Sequence, residues 1–120
     1  MLKTVYVYLI FILALTACES SELHKSMEGM GDSYKSIRES EDLTVIKNEF
    51  SKFKAALETA NAQKIAPDNQ ATFDEGMKEL ADIVNQLDAA LATNDLQNAK
   101  TLFEQLGKIR KKYHKKLDVK

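Results

Sequence analysis

Few residues in this 120-residue chain are of types that hold a transition metal: two histidines, one cysteine and four methionines. Met27 and Met30 lie near the start, Met77 in the middle, and His114 near the end, one helical turn beyond Arg110. An imidazole nitrogen and a thioether sulfur can serve as the two axial ligands of a haem iron, a combination that raises the reduction potential and suits electron transfer. Taken singly these residues say little, because a methionine at helical spacing usually fills core. His24, three before Met27, falls on a neighbouring face and reads as exposed rather than as a rival ligand. Two histidines and a single cysteine make a zinc site improbable. No Ser/His/Asp set, carboxylate pair or phosphate loop stands out, so the chain does not read as an enzyme.

Whether residues at opposite ends of the chain can meet depends on the elements that carry them. One proline and four glycines argue against the many turns of a sandwich and for long helices. Four apolar stripes step by three and four residues: Leu23, Met27, Met30, Tyr34, Ile37; then Leu43, Ile46, Phe50, Phe53, Leu57, Ala60; then Phe73, Met77, Leu80, Val84, Leu87, Leu91; then Leu96, Ala99, Phe103, Leu106, Arg110, Tyr113, Leu117. Boundary chemistry falls between them. Ser40-Glu41-Asp42 precedes the second stripe, Ala66-Pro67-Asp68-Asn69 the third, and Thr93-Asn94-Asp95 the fourth, while Thr72 with Glu75 reads as a capping box opening the third helix. Connections of about four, seven and three residues force neighbouring helices to run antiparallel. The expected architecture is all-α, an antiparallel up-down-up-down four-helix bundle. In that topology one pole collects Met27, Met30, Ala60, Phe73, Met77, Arg110, Tyr113 and His114, whereas the seams elsewhere hold Leu, Val, Ile, Phe and Ala. A core that turns thioether-rich and polar at one open end is where bundles place cofactors.

The N-terminus has a separate logic. Met1-Leu2-Lys3 is a short basic start, and Val5 to Leu15 is an apolar run too short to span a bilayer but suited to a secretory signal. Leu15-Thr16-Ala17-Cys18 resembles a bacterial lipobox, in which the cysteine is acylated and becomes the new N-terminus. The expected organisation is a leader over 1–17, a lipidated Cys18 with a short tether over 18–22, and a bundle over 23–120. Glu19, in place of an inner-membrane-retaining Asp, tilts the location towards the periplasmic face of the outer membrane. Seventeen basic against eighteen acidic side chains, net −1, do not point to nucleic acid as a partner.

Leu23-His24-Lys25-Ser26-Met27-Glu28 at the first stripe, with Glu104-Gln105-Leu106 and Arg110-Lys111-Lys112-Tyr113-His114 at the last, resemble the cytochrome b562 family. Its members are periplasmic four-helix bundles that bind haem noncovalently through an N-terminal Met and a C-terminal His. The resemblance spans Leu23 to His114 and implies Met27 and His114 as the axial ligands of one b-type haem, with Phe73 packed beside it. Met77 stands where the family has a second aromatic, and Arg110 and Tyr113 complete the expected cofactor-binding set. Covalent attachment is not expected, since Arg110-Lys111-Lys112-Tyr113-His114 lacks the Cys-x-x-Cys-His pattern. Two departures stand out. The connection Gln63 to Ala71 is shorter than in the family's best-known member, and Asp118 takes the place of an expected basic residue. The resemblance thus implies a monomeric periplasmic electron carrier with unidentified redox partners. The residues alone leave open a haem-free bundle lipoprotein of the envelope with a binding or stress role, and a haem carrier.

Overall fold

The computed structural model describes residues 22–117; the leader with Cys18, and Asp118 with the two residues after it, lie outside the described residues. Four helices fill almost all of that span: α1 over 22–39, α2 Leu43–Asn61, α3 Pro67–Ala92 and α4 Leu96–Lys116. They form the antiparallel four-helix bundle that the stripes predict. No helix among the described residues is long and apolar enough to cross a membrane.

The helix starts follow from local chemistry. The Asp42 carboxylate accepts from the Thr44 amide at 2.8 Å, and Asp95 accepts from the Asn98 amide at 3.1 Å, each satisfying a donor that the first helical turn leaves without a partner. Between α3 and α4 the turn closes in three residues because Asn94 takes a left-handed conformation, φ 56°, which Asn tolerates better than most side chains.

The start of α3 differs from the sequence expectation. Thr72 and Glu75 do not cap the helix; they lie inside it, since α3 begins at Pro67. Proline fixes φ near the helical value and lacks the N–H that a first turn would leave unpaired, so it opens the helix without a side-chain cap. The connection is therefore 62–66, not 63–71. Gln70 steadies it by accepting from the Ile65 amide at 2.9 Å.

Burial follows the stripes. Ile46, Phe50, Phe53 and Leu57 of α2 interdigitate with Val84, Leu87 and Leu91 of α3 and with Ala99, Phe103 and Leu106 of α4. The Phe103 ring meets Phe50 edge-on with centroids 5.8 Å apart, a favoured aromatic geometry. One stripe position departs: Arg110, placed in the seam by spacing, is exposed, while Tyr113 beyond it is buried. A guanidinium cannot be left dry without a partner, so its stem lies against the bundle and its head reaches water.

Candidate functional site

At the pole where α1 starts and α4 ends, the seam opens into a narrow apolar cavity of about 80 Å³, partly open to solvent. Met27, Phe73, Met77, Arg110, Tyr113 and His114, the six residues singled out from sequence, all line it, and Met30 does too. Every methionine of the described residues is thus on one wall or another of the same space. α1 contributes Met27 and Met30, α3 contributes Phe73 and Met77, and α4 contributes Arg110, Tyr113 and His114. His24 does not line the cavity; it stands outside, bridged to Glu28 at 3.0 Å.

Two features of this space are set by contacts between helices. Gly76 and Gly107 line it, and the space beside each is taken by a tyrosine. A Cβ on Gly76 would come within 2.8 Å of Tyr113 Cγ, and one on Gly107 would run into the Tyr34 hydroxyl. Both tyrosines depend on the missing side chains. Tyr34 had been legible only as a stripe position and Gly76 not at all, because the two meet their partners across helices far apart in sequence.

Glu79 is the second feature. Its place among charged residues reads as a solvated face, yet its Oε2 is buried beside the equally buried Tyr113 hydroxyl. The two are near enough to shift each other's proton affinity without the alignment of a full hydrogen bond. The Tyr113 hydroxyl, and then Lys112, hold the Glu79 carboxyl below its ordinary value, and Glu79 and burial push the Tyr113 phenol up. Lys112 also bridges Glu79 at 3.4 Å, and the ammonium groups of Lys112 and Lys116 each stand 5.1 Å from the Tyr113 ring centre. This knot ties α4 to α3 one residue before His114.

His114 itself is half-buried, and burial, with Arg110 nearby, lowers its pKa from 6.5. At neutral pH its imidazole is therefore uncharged, the form that donates a lone pair to a metal. Met27, half-buried on α1, presents a soft thioether to the same cavity. Among the described residues no group of three or more His, Cys, Asp or Glu is placed to hold a bare metal ion.

A comparison with protein families settles the kind of bundle this is: residues 22–118 match the family model Cytochrome b562. The chain belongs to the cytochrome b562 family. The match runs through all four helices and every residue that lines the cavity, and membership of this family implies a haem-binding helical bundle. No curated protein matches the chain closely enough to add a relative. The b-type haem that the cytochrome b562 family implies has a cavity here whose donor set suits it. Its walls are apolar, and its two candidate ligands come from the first and last helices.

Proposed function

We propose that the protein is a periplasmic electron carrier in which one b-type haem is held noncovalently between Met27 and His114. The observation that carries this reading is that a thioether and a neutral imidazole line one apolar cavity from opposite ends of the chain. Two protein ligands are too few to retain a bare transition metal, but they suffice when a macrocycle supplies the equatorial nitrogens. When bound, haem supplies a one-electron iron couple.

The chain's own residues do the rest. Met27, a soft uncharged thioether, and His114, a neutral imidazole, would hold the iron, and that pairing would raise its reduction potential. Phe73, Met77 and Met30 give the cavity apolar walls that exclude water, which would keep the dielectric around a bound haem low. Met77, flexible where an aromatic would be rigid, gives a softer wall. Arg110 reaches from the cavity rim into solvent and would be available to pair with a haem carboxylate. Tyr113, tied to Glu79, fixes the last turn of α4 and with it the direction of His114.

Acylation at Cys18 would tether this carrier to a membrane, the outer membrane being favoured by Glu19. The deciding measurement is an optical spectrum of protein expressed with haem available. Sharp low-spin bands that move on reduction are expected; a colourless protein would refute the reading. Met27→Ala or His114→Ala should convert the iron to high spin or empty the site, whereas His24→Ala should do neither. If haem instead passes rapidly to a competing apoprotein, the carrier of electrons becomes a carrier of haem.

A further inference from the structure

The last nine residues of α4, Lys108 to Lys116, hold six lysines and arginines and no acid. The mechanism uses Arg110, and Lys112 is taken by Glu79. Lys108, Lys111 and Lys115, spaced three and four apart, form one exposed stripe with no carboxylate in bridging range among the described residues. Of the acids nearby, Glu79 is engaged with Lys112 and Glu28 with His24, while Glu104, one turn before Lys108, lines the same groove as Lys108 and Lys111 but bridges neither. This concentration is at odds with a chain whose net charge is only −1.

Its position gives it a partner. The stripe ends at the pole where α1 starts, as His24, Glu28, Arg110 and His114 lining one groove demonstrate. Only residues 19–21 separate Cys18 from α1, a reach of about 14 Å at full extension. A bundle tethered that closely must turn this pole to the bilayer. Lys115 then lies nearest the headgroups, and Lys108, seven residues back, about 10 Å higher at 1.5 Å per residue, still near one screening length at physiological salt.

We propose that Lys108, Lys111 and Lys115 form a second membrane contact, binding anionic phospholipid headgroups and holding the cavity-bearing pole against the bilayer. The inference rests on the acylation of Cys18 proposed above. A basic patch beside an acyl anchor is the usual way for a peripheral protein to gain a fixed attitude as well as attachment, each Lys near an anionic surface strengthening binding about fivefold.

The test uses the protein extracted from membranes and reconstituted in vesicles of phosphatidylcholine alone or with one third phosphatidylglycerol. Lysine amines are labelled and read by mass spectrometry. Lys108, Lys111 and Lys115 should label about fivefold more slowly on the anionic vesicles at low salt, with protection lost at high salt, while Lys47, Lys52 and Lys100 stay unchanged. In K108Q/K111Q/K115Q, Lys116 should label equally fast on both kinds of vesicle. The mass of the N-terminal peptide reports acylation independently. Uniform labelling of an acylated protein overturns the contact and spares the anchor; an unacylated Cys18 with protection on anionic vesicles overturns the anchor and sustains the contact.

Discussion

His114 can hold iron only as the neutral imidazole, so the surroundings that keep it neutral are part of the site. Burial removes water from around the charged form, and Arg110 adds like-charge repulsion; both lower the pKa from 6.5. The same shift is a statement about folding. The unfolded chain takes up a proton at the ordinary value and the folded chain resists, so the contribution is complete above pH 6.5 and is lost as pH falls through the depressed folded value. Glu79 behaves likewise at a lower pH, its contribution present above 4.5 and lost below it, so the two windows separate. We expect the haem-free protein to melt at a lower temperature at pH about 5 than at pH about 7, with His114→Gln removing most of that difference and His24→Gln leaving it. An NMR titration offers a direct check: Arg110→Ala should raise the His114 pKa, and an unmoved titration would show that burial alone sets it.

Helix against helix, the contact that matters is α4 on α3 and α1, where glycines let tyrosine rings approach. Gly76 and Gly107 look equivalent in sequence and should respond oppositely to alanine. At Gly76 the new methyl would meet Tyr113 Cγ at 2.8 Å and Cδ1 at 3.0 Å, atoms at the base of a buried ring that cannot move without α4. Overpacking of this kind costs about 1–3 kcal/mol, more than the roughly 1 kcal/mol that alanine gains over glycine in a helix, so Gly76→Ala should destabilise. At Gly107 the methyl meets only the far end of Tyr34, half-buried and free to swing outwards. Gly107→Ala should thus leave stability unchanged or raise it by up to about 1 kcal/mol, while narrowing the cavity and weakening haem retention. Urea melts of the haem-free proteins decide the first pair of outcomes and haem titration the last. These glycines also mark the limit of what the sequence discloses. Stripes such as Ile46, Phe50, Phe53, Leu57 were readable because periodicity is local, and they sufficed to place Met27 and His114 at one pole. The start of α3 was misplaced to Thr72 because a capping pattern is local too and Pro67 outranked it. The glycine–tyrosine contacts and the Glu79–Tyr113 pair depend on which residues of different helices end up opposite, and no spacing within one helix encodes that.

Taken as a whole, the bundle is asymmetric along its axis. The pole of the two three-residue turns is closed: Ile46 and Leu87, the largest fully buried side chains, lie towards it, Lys100 bridges Glu41, and Lys47 donates to Asn94 at 2.6 Å. The other pole has the cavity, a longer connection and the two helices that begin and end the described chain. Below the contact of Tyr34 with Gly107, α1 and α4 flank a small unfilled space where the closed pole has packed side chains, and a gap in a packed core forfeits contact energy. A haem joined to Met27 on one and to His114 on the other would cross-link the two helices farthest apart in sequence. Binding to the native state alone adds RT ln(1 + [L]/Kd), about 2.7 kcal/mol at a hundredfold excess over Kd, which in a domain of this size raises Tm by roughly 10–20 °C. Hydrogen exchange should locate the gain. In the haem-free protein the amides of 22–31 and 107–117 should exchange well before those of 46–57 and 83–91, and haem should slow the first group selectively. Uniform protection in the haem-free protein, or a Tm unmoved by haem, would mean that the open pole is already as stable as the closed one and that the cavity does not bind the cofactor.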